Sequence, residues 1–249
     1  MSQQARSDQS NIPFILSGQS LVRDGRTIAQ DAGRTLPLAV FTVMGRKAVS
    51  IPTTGTAATG NTSGSGAMTA VAGIFGRIPR PGAWVVECTA AVANGGVFKI
   101  TDPSGVIVAT GLTLTPGSTN TTIIRVPDAG LVFSITDATD FAPGDKFTIT
   151  VTAVDKWAPF LPGNIDGAQV PRAILMSDTI TAAALVAGDI TSQALLVGGS
   201  CTVDSSMIVF DDGVTTLDTV LTGGMTVRDA LVHVGIFTED IVDIDAFEN

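Results

Sequence analysis

The chain has 249 residues, which at roughly 100–200 residues per domain means one large domain or two small ones with a real core. Hydrophobic residues make up 45% and charged residues 15%, with 27 glycines, 12 prolines and no tyrosine, a composition that excludes a collagen-like or wholly low-complexity chain. The net charge of −9 is uneven: residues 1–50 hold six Lys/Arg against three acids, and residues 155–249 hold three against fourteen, which argues against direct nucleic-acid binding.

In chain order, residues 1–33 read as a flexible N-terminal arm. The stretch opens without the apolar core of a secretory signal, and no apolar run in the chain approaches the ~18 residues of a membrane helix. The expectation is a protein made in the cytoplasm, with no membrane partner. The arm is rich in Gln, Ser, Arg, Asp and Gly, and its one apolar island is Ile12-Pro13-Phe14-Ile15-Leu16. Such a segment buries too little surface to order alone. It is either a plain disordered tail or an arm that orders on a neighbour and adds a strand to its sheet.

Leu36–Met44 is apolar and β-branched and reads as a strand, Gly45-Arg46-Lys47 as a turn, and Ala48–Ile51 as the hairpin partner. Residues 52–66, uncharged and rich in Gly, Ser and Thr, read as a linker. Beyond it, six strand-like runs follow: Trp84–Val92, Gly96–Asp102, Val106–Thr115, Thr121–Val126, Leu131–Thr136 and Lys146–Val154. Turn signals such as Asn94-Gly95, Asp128-Ala129-Gly130 and Pro143-Gly144-Asp145 punctuate them. A phrase recurs three times: Phe98-Lys99-Ile100-Thr101, Phe133-Ser134-Ile135-Thr136 and Phe147-Thr148-Ile149-Thr150. Residues two apart share a strand face, so each Phe/Ile pair points one way and Lys99, Ser134 and Thr148 the other. That pattern predicts a small antiparallel sandwich.

The last third is mixed. Asn164–Gly167 is a tight-turn signal, and Val170–Met176 reads as an edge strand because it contains Pro171. Asp178 or Thr179 is positioned to cap a short helix or open a loop. Ala194–Val197 and Thr202–Val209 read as strands, Asp211-Asp212-Gly213 as a turn, Thr226 as the cap of a helix over Val227–Val232, and Val234–Ile244 as a closing strand with alternating acids. The fold class is therefore mainly β, with few short helices.

Catalytic patterns are missing. His233, the only histidine, has no Gly-x-Ser-x-Gly elbow near it and reads as a core or edge-strand residue. Cys88 and Cys201 are far apart and read as buried apolar residues, neither a disulfide framework nor a zinc knuckle. Gly55–Gly60 has the glycine spacing of a phosphate loop, but Asn61 stands where the lysine is needed. Asp137, Asp140 and Asp145 flank a turn with no EF-hand spacing, so solvated turn residues are the simpler reading than a calcium site. No catalytic residue, cofactor or metal is expected.

The flanks of the sandwich segment carry a resemblance. Leu36-Pro37-Leu38 leading to Arg46-Lys47-Ala48-Val49, then Ile165-Asp166-Gly167 through Val170-Pro171-Arg172-Ala173-Ile174-Leu175, resemble the bacteriophage lambda head decoration protein D family. Leu195–Thr202, Asp204–Phe210 and Leu231–Ile244 are similar to its later strands. Arg172-Ala173 depart from it where the family has glycine before Ile-Leu. Phe98–Gly105 and Asp140–Val151 resemble the extra β-sandwich of some larger phage decoration proteins.

The resemblance implies a decoration-protein-like β core, discontinuous over 34–51 and 155–249, interrupted at 52–154 by a linker and an immunoglobulin-like antiparallel β-sandwich. It also implies a capsid cement protein: a non-enzymatic homotrimer at three-fold positions on the outer surface of the expanded head, with the major capsid protein as partner, stabilising the virion against internal DNA pressure. On this reading the arm residues Ile12, Pro13, Phe14, Ile15 and Leu16 are the capsid-binding candidates. The competing readings are a virion surface adhesin or carbohydrate-binding module acting through the sandwich, and a hydrolase using paired acids.

Overall fold

The computed structural model describes residues 14–62, 67–73, 77–93, 95–114, 121–136 and 141–240. The protein is mainly β. Ahead of the sandwich segment stand β1 (Ile15–Gly18), β2 (Val22–Ile28) and β3 (Val43–Ser50). The segment itself holds β4 (Thr56–Ala57), β5 (Ala67–Gly73), β6 (Gly82–Val92), β7 (Gly95–Thr101), β8 (Ile107–Leu114), β9 (Thr121–Val126) and β10 (Leu131–Thr136). The long strand β11 (Lys146–Pro159) leaves it. Then come β12 (Pro171–Leu175), α1 (Ala182–Ala187), β13 (Ile190–Leu196), β14 (Cys201–Asp204), α2 (Val227–His233) and β15 (Ile236–Glu239).

The described chain divides into two compact units. A discontinuous unit holds the residues up to Arg46, Lys156–Pro162 and those from Val170 onward; a sandwich unit holds Lys47–Asp155 and Gly163–Gln169. These boundaries differ from the expected 52–154. The segment Gly163–Gln169 belongs to the sandwich unit because the Asp166 carbonyl accepts from the Ala48 and Val49 amides (2.8 and 3.1 Å) and its carboxylate meets Lys47 Nζ at 3.5 Å.

In the sandwich unit, β11, β6, β7 and β8 form one sheet in that order, with β4 added to β11, and β5, β10 and β9 form the other. The six Phe and Ile residues of the repeated phrase, Phe98, Ile100, Phe133, Ile135, Phe147 and Ile149, are all fully buried in the one core between the sheets. Phe141 lies edge-on to both Phe98 and Phe147, at ring centroid distances of 5.3 and 6.0 Å. On the opposite face, Lys99 and Lys146 flank Glu87 at 3.3 and 3.6 Å, each directly across from it in register. Ser134 departs from the expected pattern. It is buried, and its hydroxyl donates to the Thr69 carbonyl at 2.9 Å, which satisfies it.

In the discontinuous unit, β2, β13, β12, β3 and β11 follow in order, and a β2–β11 pairing at Ile28 and Trp157 brings the sheet back on itself. A second sheet runs β1, β14, β15. The central strands are buried on both faces, so successive residues serve different cores. Val43, Ile174 and Leu196 pack with α2 and the second sheet, whereas Met44, Ala173, Leu175 and Leu195 pack with Leu185 of α1. This explains why Ala173-Ile174-Leu175 of β12 and Ala194-Leu195-Leu196 of β13 are consecutive apolar residues and not an alternation.

Several sequence expectations give way here. Residues 14–28 are not an arm: they form β1, antiparallel to β14, and β2, antiparallel to β13. Gly45-Arg46-Lys47 is not a turn. The local turn is earlier, at Phe41 with φ +64°, and it does not reverse the chain: Leu38 before it and Val43 after it both pair antiparallel with the 174–180 stretch, and β3 runs extended through Gly45, which pairs with Pro171. The strand β12 is interior, not an edge; Pro171 is its first residue, where a missing amide hydrogen costs least. Thr181, not Asp178 or Thr179, caps α1 by accepting from the Ala184 amide. One expectation at a helix start holds: Thr226 caps α2, through a reciprocal box with Asp229.

Candidate functional site

The arm island is where the sequence placed the binding residues, and the fold uses part of it internally. Ile12 and Pro13 lie outside the described residues. Phe14 has no exposed surface, stacks on Phe41 at a centroid distance of 4.2 Å, and its carbonyl accepts from the Asp204 amide at 2.9 Å. Ile15 is half-buried opposite Val203, and Leu16 keeps 37% of its surface. An apolar cluster beside an open strand edge of its own chain gains both hydrogen bonds and burial there, which offsets its ordering entropy. Phe14 is therefore a core residue and not a capsid anchor.

A clamp that sequence reasoning did not single out stands at Arg34, a side chain only 6% exposed. Its guanidinium holds both carboxylate oxygens of Asp211, one at 2.7 Å, and also donates to the carbonyls of Leu36 (2.8 Å) and Pro37 (3.2 Å). A planar fork of five donors suits this task where a lysine would not. The hydrogen bond with Asp211 raises the Arg34 pKa above its ordinary value, against the effect of burial. Residues separated by 177 positions in sequence are thus held together by one side chain. The signal in the sequence was only an Arg in a loop and an Asp in a turn, which carries no pairing information.

The other candidates fall into structural roles. The Asp145 carboxylate is buried and accepts from the amides of Thr62 (2.6 Å) and Ala142 (2.9 Å), so its oxygens are engaged by the backbone. Asp137 and Asp140 lie outside the described residues, and among the described ones no three His, Cys, Asp or Glu side chains gather as metal ligands. His233 is exposed in the last turn of α2, neither in a core nor on an edge strand. Cys88 is buried in the sandwich core and Cys201 in a core of the discontinuous unit; burial raises both thiol pKa values. Trp84 is 3% exposed and its indole donates to the Arg80 carbonyl at 2.9 Å, so it offers no face for sugar stacking.

An open, polar depression of about 510 Å³ in the discontinuous unit is lined by Ser177, Asp178, Thr179, Ser192 and Gln193. Ser177 Oγ accepts from the Ala194 amide (2.7 Å) and Thr179 Oγ1 from the Val40 amide (3.4 Å), so two of its hydroxyls brace the backbone. It sets no nucleophile beside a base. Among the described residues no helix is long and apolar enough to cross a membrane.

No protein-family model matches the chain, and no curated protein or solved structure matches it.

Proposed function

We propose that this protein decorates the outside of a phage head, as a homotrimer at three-fold positions, and stabilises the expanded shell through contacts with the major capsid protein. The observation that carries this reading is the way the chain divides. Most of the segments that resemble decoration proteins, separated by more than a hundred residues, close into one compact unit, and the sequence between them builds a sandwich with its own core. That is the arrangement expected of a decoration core with a domain inserted in it.

The physical task suits such a chain. A protein that binds only the expanded lattice stabilises that lattice by mass action. Trimeric attachment makes rebinding of each subunit intramolecular, so release of the whole is slow without any single contact being strong. The test is co-sedimentation of the purified protein with expanded and unexpanded heads of its own phage, followed by image reconstruction. Saturable binding to expanded heads, with density at three-fold positions, is expected. Absence of binding to either form would sink the reading.

A further inference from the structure

The three most exposed large apolar side chains among the described residues are Val214 (80%), Leu36 (69%) and Val220 (64%). Exposed apolar residues scattered singly mean little, but these three are linked through one loop. Val214 and Val220 stand on one loop, residues 211–226, together with the part-exposed Met225. Leu36 is tied to the start of that loop, because the Arg34 guanidinium that binds its carbonyl also binds Asp211.

The loop is long, and it is well ordered by its own bonds. Asp212 accepts from the amides of Val214 (3.1 Å) and Thr215 (2.8 Å) and from the Thr215 hydroxyl (2.5 Å). The Leu221 amide donates to the Met225 carbonyl at 2.7 Å, and Leu217 is sunk into the core. Ordered loops of this length are characteristically functional. With the backbone already held, presenting Val214, Val220 and Leu36 to a partner costs little further entropy.

Charge completes the description. Asp212, Asp218 and Asp229 flank the apolar residues, and over residues 205–240 the only Lys or Arg is Arg228, which is engaged with Asp218 (3.4 Å) and the Thr238 hydroxyl (2.6 Å). An apolar centre with an acidic rim is complementary to a protein surface with an apolar centre and a basic rim.

We propose that the 211–226 loop, together with Leu36, is the docking surface for such a basic-rimmed protein surface. The inference rests on the function proposed above, which places that surface on the assembled head. It moves the head contact away from Phe14, which the fold has buried, to side chains that the fold holds out.

The test compares the wild type with the Val214→Lys/Val220→Lys double variant and with Val214→Ser/Val220→Ser, in sedimentation with expanded heads. Thermal melting and light scattering of each free protein accompany it. Both valines are exposed, so melting temperatures should stay within a degree or two of wild type. Binding should weaken about tenfold or more in the lysine variant, less in the serine variant, and wild-type binding should weaken as salt rises. Wild-type binding with both variants unchanged would overturn the docking surface and leave the decoration reading standing. Binding that does not respond to salt would overturn the basic rim. If the wild type is an oligomer in solution that the lysine variant splits while head binding persists, a second copy occupies the surface and the proposal is wrong. Failure of the wild type to bind heads would remove both.

Discussion

The two units of this chain are built by different strategies. In the sandwich unit three pairings join strands that are neighbours in sequence, β6 to β7, β7 to β8 and β9 to β10, while β5 to β10, β6 to β11 and β4 to β11 join strands further apart. In the discontinuous unit, β1 pairs with β14, β2 with β13 and β3 with β12, each across more than a hundred residues. The first strategy pairs strands as soon as they are made. The second must close long loops before any contact offsets their entropy, so its pairing is expected to form later. The lesson is that one chain can carry a domain built partly on hairpins and one whose first strands β1, β2 and β3 all wait for partners over a hundred residues on, and the hairpins announce themselves more readily in sequence.

The molecule supplies reporters for each unit separately: Cys88 and Trp84 in the sandwich unit, Cys201 and Trp157 in the discontinuous unit. The burial that raises both thiol pKa values also shields them, so each should react with a thiol reagent only on unfolding of its own unit. The largest effect is expected from Ile174→Asp. It puts an unpaired charge at a fully buried position of the discontinuous unit and should cost roughly 4 kcal/mol or more. Labelling of Cys201 should become fast while Cys88 stays protected. Equal acceleration at both thiols would show that the units unfold as one.

Phe147→Ala makes the converse test. Phe147 is fully buried against Phe141 in the sandwich core, and its truncation should cost about 3–5 kcal/mol there. Here Cys88 should be exposed first. Arg34→Met should cost less, about 1–3 kcal/mol, because it leaves the Asp211 carboxylate and two loop carbonyls without their donor. A Trp157 fluorescence transition unchanged in denaturant midpoint would refute the clamp.

Acid separates the units more gently. In the discontinuous unit, the Lys156 ammonium, with help from the Gln30 amide, lowers the Asp189 pKa, and the Thr226 hydroxyl and amide lower that of Asp229. At Asp212 burial opposes ionisation, yet the hydrogen bonds from Thr215 and Val214 together outweigh it and lower its pKa too. In the sandwich unit Asp102 is lowered, first by the Val106 amide. A carboxylate with a lowered folded pKa stabilises the fold fully above its unfolded value, near pH 4, and that contribution is lost as pH falls through the folded value. The Trp157 transition should therefore weaken below about pH 4 more than the Trp84 transition. Asp189→Asn should flatten the difference. Acid curves that superimpose for the two tryptophans would contradict it.

Legibility in the sequence followed this local and non-local division. Phe98-Lys99-Ile100-Thr101 and its two echoes disclosed their buried face because period-two alternation is a property of the strand itself. Thr226 disclosed the start of α2 for the same reason, since a cap and its partner Asp229 lie three residues apart. Gly45-Arg46-Lys47 misled because turn-forming residues were read without their partner: opposite Pro171 that segment is extended. The docking candidates fared similarly. An apolar island near a terminus reads as available, and only the β14 edge, nearly two hundred residues away, decides that Phe14 is spent on the core.

By itself, then, the sequence determined a mainly β protein with a sandwich in its middle and two buried cysteines. These follow from periodicity, burial preference and the residue types present, which do not depend on distant partners. Tertiary structure alone decided which apolar residues were left over. Val214 and Leu36 are ordinary residues in ordinary loops until Arg34 reaches Asp211, and exposure is a property of what the rest of the chain covers.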